Sequence, residues 1–155
     1  MKLPFMRAGG VLVLLLVGCA HSHALRKRAA FDLNCPESSV DISTAGEEYR
    51  ASGCGRAAGY ACRTGNMQSQ CKNATEVPPA PADEDIPTGF TPEGAALNRA
   101  VVDLGCAEAQ LSTVSFDSGG IGVRGCGKRI AYVCRARFWR YRCEADSPIH
   151  ADAAP

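Results

Sequence analysis

The sequence predicts an α+β fold: two tandem, small, disulfide-stapled repeats, each a short helix followed by an antiparallel β-meander of three to four strands. Three observations carry that expectation. A ladder of four cysteines occurs twice, with 18, 7 and 8 residues between Cys35, Cys54, Cys62 and Cys71 and 19, 7 and 8 between Cys106, Cys126, Cys134 and Cys143. A residue at ease in the left-handed conformation that ends helices, Asn34 or Gly105, directly precedes the first cysteine of each ladder. After that cysteine the apolar pattern changes from helical spacing to alternation.

In chain order, Lys2 and Arg7 precede an apolar run over residues 11–17, then Gly18 and Cys19. Residues 1–18 read as an export signal. The run is far shorter than the roughly 20 residues a helix needs to cross a bilayer, and no later segment is long and apolar enough to do so. Leu16-Val17-Gly18-Cys19 resembles the bacterial lipobox, in which the thiol is acylated and the Gly–Cys bond is then cut. That resemblance implies a lipid such as palmitate on Cys19, a tether over residues 19–24, and an exported protein held on the cell envelope, with each buried methylene contributing about 0.8 kcal/mol. Ala20 stands where an Asp would favour retention at the inner membrane, which implies the outer membrane.

Loss of residues 1–18 removes two basic and no acidic residues, leaving 15 Lys and Arg against 16 Asp and Glu. A nucleic-acid partner is not expected from that balance. The clusters Arg26, Lys27, Arg28 and Arg135, Arg137, Arg140, Arg142 are local and read as solvated faces. Of nine cysteines, eight remain once Cys19 is set aside, an even number in an exported chain, so disulfides are expected.

The first repeat is expected over residues 25–75 and the second over 91–145. Other residues recur in step: Asp32, Leu33, Glu37 with Asp103, Leu104, Glu108; Gly53, Gly55 with Gly125, Gly127; Tyr60 with Tyr132. Between them, residues 76–90 hold Pro78, Pro79, Pro81 and Pro87 with Asp83, Glu84 and Asp85, a semi-stiff solvated linker. Thr91-Pro92-Glu93 is a helix start, and Leu97, Val101, Val102 and Leu104 continue it. Short strands follow at Val40, Ile42 and at Leu111, Val114, Phe116, then at Tyr49, Ala51 and at Ile121, Val123, and a third begins near Ala58 or Ile130. A fourth is expected from Phe138, Trp139 and Tyr141, whereas the polar 66–70 stretch supports one poorly in the first repeat. Residues 146–155 read as a disordered tail.

Units of this size bury little apolar surface and need covalent staples. Four cysteines permit three pairings in each repeat. A hairpin looped around residues 127–130 sets Cys126 opposite Ala131 and Cys134 opposite Val123, on opposite sheet faces, which argues against pairing those two thiols. Of the pairings left open, Cys35–Cys54 with Cys62–Cys71, and Cys106–Cys126 with Cys134–Cys143, is placed first. Zinc is not expected, because thiolate sites come as close pairs and there is no CxxC. No cofactor or metal is expected at all.

Catalysis is not expected either. His21, His23 and His150 fall outside both repeats, and Asp32 with Glu37 or Asp103 with Glu108 read as local architecture, hydrogen-bonded near the Gly-Cys-Gly turn. Alternating aromatics and arginines at 138–142 give one apolar and one cationic face, so Phe138, Trp139 and Tyr141 are the candidate contacts to an envelope protein partner. The expected role is structural or protein-binding. The alternatives are an envelope hydrolase using the repeat carboxylates and a proteinase inhibitor presenting the 115–122 loop.

Cys35-Pro36-Glu37, Gly53-Cys54-Gly55 and Tyr60-x-Cys62, behind the lipobox, resemble a group of uncharacterised lipoproteins of myxobacteria. The resemblance covers both repeats and implies an exported, lipid-anchored protein without implying an activity. The second repeat departs from it with Ala107 where the first has Pro36.

Overall fold

The computed structural model describes residues 12–65, 68–74 and 87–152, with side chains over 22–63, 70–74 and 87–152. The architecture is α+β, with two helices, two antiparallel sheets and four disulfides. Helix α1 (Leu12–Leu33) and a one-turn 3-10 helix (Glu37–Ser39) precede the first sheet, β1 (Asp41–Ala45), β2 (Glu48–Gly53), β3 (Arg56–Gly65) and β4 (Gln68–Asn73), in the order β1-β2-β3-β4. The second sheet begins with β5 (Thr88–Gly89). Helix α2 (Pro92–Leu104) and a 3-10 turn (Glu108–Gln110) then lead to β6 (Ser112–Ser115), β7 (Ile121–Gly125), β8 (Lys128–Arg137), β9 (Arg140–Ala145) and β10 (His150–Ala151).

Local chemistry explains the helix ends. Thr91 caps α2, its hydroxyl accepting from the Gly94 amide at 3.0 Å, with Pro92 at the first helical position. Asn34 (φ 51°) and Gly105 (φ 63°) stop the two helices in the left-handed conformation. The amides of Cys35 and Cys106 then donate back to the Ala30 and Val101 carbonyls. Basic side chains complete both ends: Arg56 donates to the Leu33 carbonyl and Lys128 to that of Leu104, where a cation also meets the negative end of the helix dipole.

Four layers result, in the order α2, second sheet, α1, first sheet. Leu25, Ala29 and Leu33 of α1 pack with Val40, Ala51, Tyr60 and Cys71. Ala96, Ala100 and Leu104 of α2 pack with Val123, Ile130, Tyr132 and Cys143. The other face of the second sheet receives the opposite side of α1: Phe31, Phe116 and Ala131 form a small separate core, with the two rings edge-on at 5.3 Å. Gly122 makes that approach possible, since a Cβ there would lie 2.7 Å from both rings.

Four expectations are corrected. A fourth strand, β4, is present in the first sheet despite its polar sequence, because Cys62 and Cys71 face each other across β3 and β4 and fix the pairing. Thr88 and Gly89 of the expected linker are not solvated chain but pair with β9; residues 75–86 lie outside the described residues. Residues 146–152 of the expected disordered tail are ordered: Asp146 and Ser147 are buried, and His150 and Ala151 pair with Arg129 and Lys128. The 19–24 stretch expected as a tether lies within α1.

Candidate functional site

Four disulfides join Cys35 to Cys54, Cys62 to Cys71, Cys106 to Cys126 and Cys134 to Cys143, the pairing the sequence placed first. The Gly-Cys-Gly element is a two-residue hairpin turn: Gly53 pairs with Arg56 and Gly125 with Lys128, leaving Cys54-Gly55 and Cys126-Gly127 as the loops. All four loop residues have φ between 51° and 75°, as turns matched to strand twist require. The loop therefore sits earlier than the 127–130 loop expected from sequence. Val123 faces Ile130, and Cys126 lies in the turn instead of opposite Ala131. The leading glycine serves a different purpose, because a Cβ on Gly125 would come within 2.5 Å of the Gln110 carbonyl oxygen.

The carboxylate candidates divide. Asp32 is buried, and its Oδ2 accepts from Arg28 Nε and Tyr60 Oη, each at 2.9 Å. Asp103 Oδ2 accepts from Arg99 Nε and Tyr132 Oη at the same distances. The partners are thus an arginine one helical turn back and the recurring tyrosine, not the turn backbone expected from sequence. Burial first, and then the facing aspartate, push both phenols above the ordinary tyrosine value. Glu37 and Glu108 are exposed on the 3-10 turns. The missed residues are Arg28 and Arg99; their signal was an Arg four positions before each recurring Asp.

Arg28 reaches across the layers as well. Its side chain is fully buried, donates to Asp146 Oδ2 at 2.8 Å and lies 5.2 Å above the Phe116 ring. Burial opposes the Arg28 cation, but Asp32 and Asp146 outweigh it and hold its pKa above the ordinary value. The same burial raises Asp146, with Arg28 pulling the other way. Nearby, Arg129 is fully buried and donates to the Asp32 carbonyl at 3.1 Å and to Asp152 at 2.7 Å. A cavity of about 550 Å³ opens beside this junction, lined by Asp32, Arg56, Asn73, Arg129 and His150 among others. Asp32 Oδ1, Arg129 Nε and His150 Nε2 are buried there without a hydrogen-bond partner. Among the described residues no group of three His, Cys, Asp or Glu side chains could hold a metal ion.

Phe138 and Trp139 occupy the two-residue turn between β8 and β9, 95% and 75% exposed, their rings 6.0 Å apart. They are not strand residues with alternating faces. Phe138 has φ 57°, a left-handed conformation that costs a side-chain-bearing residue roughly 1–2 kcal/mol. Tyr141 separates from them: it is half-buried and packs against the α2 core. The register Arg137–Arg140 and Arg135–Arg142 puts the four arginines on the sheet face opposite Tyr141. Phe90, 70% exposed, lies beside the same tip, stacked under the Arg140 guanidinium at 4.9 Å.

The 115–122 loop is anchored. Phe116 is buried, Ser118 is 1% exposed, and the Ser118 carbonyl accepts from the Cys71 amide at 3.0 Å. Cys19 lies on α1, with its side chain outside the described residues. No helix of the described residues is long and apolar enough to cross a membrane. Comparison with protein-family models, with curated proteins and with solved structures found no match.

Proposed function

We propose that this chain is an exported lipoprotein of the cell envelope, acylated on Cys19 after loss of residues 1–18, that acts without catalysis as a binding module built from a tandem duplication. Each copy is a helix followed by a four-stranded meander and two disulfides. Supporting the duplication, the Arg-Asp-Tyr network, the left-handed helix stop, the basic residue on the helix end and the Cys-Gly turn recur in both halves. Supporting export, the eight cysteines beyond Cys19 are all paired. Outer-membrane sorting rests on Ala20.

The observation that carries the binding role is the Phe138-Trp139 turn, two large aromatics held in solvent on a strained turn. Strain retained at an exposed site points to function. The inhibitor reading gains no support from a 115–122 loop pinned at Phe116 and Ser118.

One observation favours the hydrolase as a second reading: Asp32 Oδ1 lies unpartnered with His150 Nε2 at the edge of the junction cavity. Intact mass combined with a non-reducing peptide map tests the main reading, which requires an acylated N-terminal Cys19 and four bridges. Eight free thiols on an unprocessed chain would overturn it. Envelope-polymer hydrolysis abolished by Asp32→Asn and His150→Ala would establish the second reading in its place.

A further inference from the structure

We propose that the β8–β9 hairpin tip is a second membrane contact, in which Phe138 and Trp139 seat in the interface of an anionic lipid surface while Arg135, Arg137 and Arg142 engage lipid phosphates. This rests on the lipid-anchored reading above and names the partner of the tip.

The first argument is direction. Lys128, at the start of β8, reaches the Leu104 carbonyl at the end of α2, while the Pro92 carbonyl at the start of α2 lies 3.6 Å from the sulfurs of both Cys134 and Cys143. Helix α2 therefore runs antiparallel to β8. Helix α1 does the same on the other face of the sheet: the Asp32 carbonyl meets Arg129 at the start of β8, and Arg28, one turn upstream, meets Asp146, whose amide bonds the Ala131 carbonyl further along that strand. The N-terminal end of α1 and the hairpin tip consequently lie at the same end of the molecule.

The second argument is reach. From Asp32 back to Cys19 the helix rises about 20 Å at 1.5 Å per residue. From Arg129 to Phe138 the strand extends about 30 Å at 3.3 Å per residue. A lipid on Cys19 that seats this end of the helix at a bilayer surface brings the turn, which reaches about 10 Å further, into that surface. The short helical stretch between Cys19 and the buried Leu25 limits how far the body can swing away.

The third argument is chemistry. Tryptophan favours the headgroup region, where an apolar ring and a polar N–H are both accommodated, and phenylalanine buries its ring at the acyl boundary beside it. Behind them Arg135, Arg137 and Arg142 line one groove with a single carboxylate, Glu144, a charge balance suited to anionic headgroups. Phe90, Phe138 and Trp139 account for three of the five large apolar side chains exposed among the described residues.

Trp139 is the only tryptophan of the chain, so its fluorescence reports the tip alone. The purified full-length processed protein is added to zwitterionic phosphatidylcholine vesicles and to vesicles carrying phosphatidylglycerol. The proposal expects a blue-shifted Trp139 emission and several-fold protection from acrylamide on the anionic vesicles, quenching by lipids brominated near the headgroup, and loss of all three in 1 M salt. Arg135→Gln with Arg137→Gln, both at exposed side chains, should abolish the shift while the disulfide map stays intact; glycerol phosphate in solution should cause none. Emission that stays aqueous and acrylamide-accessible on vesicles that retain the protein overturns the hairpin contact and leaves the anchor standing. Intact mass of the same sample reads the acyl group separately, so failure of the anchor is distinguished. Protection of Trp139 by envelope protein extract but not by lipid also overturns the proposal.

Discussion

The two Arg-Asp-Tyr networks differ in burial, and that difference sets a stability experiment with an internal control. Arg28→Met keeps an apolar stem but removes the guanidinium from between Asp32 and Asp146, whose side chains are 1% and 8% exposed. Removing one partner from a buried ion pair costs about 3–5 kcal/mol, chiefly because a charge is stranded away from water. Here two carboxylates are stranded, and the cation–π contact to Phe116 is lost as well. Arg99→Met strands only Asp103, which is 15% exposed and keeps its Tyr132 hydrogen bond, so about 1–2 kcal/mol is expected, near the net value of a hydrogen bond to a charged group. Urea unfolding of the oxidised variants, followed by far-ultraviolet circular dichroism, measures both. The first cost is a large part of the roughly 5–15 kcal/mol that stabilises a typical domain. The pH dependence gives a second signature. A carboxylate whose folded pKa is raised contributes stability that is present at low pH and lost as pH rises through that value, and burial already raises Asp146 above 3.8. Removing Arg28 raises it further, so the deficit against the unmodified protein shrinks on going from pH 7 to pH 4. Equal costs for the two variants, or a cost below about 1 kcal/mol for Arg28→Met, would refute the reasoning from buried charge.

The disulfide Cys35–Cys54 closes a separation of 19 residues, so Cys35→Ser with Cys54→Ser should lower stability by about 3 kcal/mol in denaturant titration. Gly122→Ala drives a Cβ into the Phe31 and Phe116 rings and should cost about 1–3 kcal/mol, whereas Gly59→Ala, whose Cβ would meet only Ala74 at 3.5 Å, should not destabilise comparably in the same melt. At alkaline pH the raised Tyr60 and Tyr132 phenols stay protonated in the fold while the unfolded chain ionises from about pH 10. Stability should then fall by about 1.4 kcal/mol per pH unit for each tyrosine, and Tyr132→Phe should halve that slope.

Features set by local chemistry were legible in the sequence. Thr91-Pro92 starts a helix and Asn34 and Gly105 stop one, because each depends on neighbours a few residues away, and the nearly equal cysteine spacings announce the same staple twice. Features set by tertiary contact were not. Strand β4 is Gln-Ser-Gln-Cys-Lys-Asn, a composition without strand pattern that is held by its partner strand. The turn register was misplaced because Cys54 and Cys126 take a left-handed φ of 51°, which side-chain-bearing residues seldom adopt. The two-residue strands β5 and β10 are too short to show any period. At the site, the aromatic and arginine run was visible, but that Phe138 and Trp139 form the turn while Tyr141 turns inward depends on the Arg137–Arg140 pairing. Asp32 and Asp103 were singled out; the arginines that neutralise them were not, although their i, i+4 spacing on a helix was readable.

Under the proposed duplication, the order of the layers bears on whether copies of the chain stack on one another. One face of α1 is buried on the second sheet, so under the proposed duplication the outer face of α2 and the back of the first sheet are copies of surfaces that already bind each other. A head-to-tail contact of that kind does not close on itself and can propagate into filaments. Residues at the contact oppose it. Phe31, 8% exposed in the small core, corresponds to Val102, which is 64% exposed and too short to replace an aromatic wedge. Gly122, where even a Cβ would strike Phe31, corresponds to Arg50 on exposed strand surface. The segment 116–120 that supplies Phe116 and Ser118 corresponds to the exposed residues 45–48, Ala-Gly-Glu-Glu, which supply neither ring nor buried hydroxyl. Both uncovered faces thus lack what a further helix or sheet would need. The protein should sediment as a monomer in detergent that would shield the acyl chains proposed on Cys19, and Arg50→Gly alone should leave it monomeric, because the aromatic wedge and the anchoring loop would still be missing.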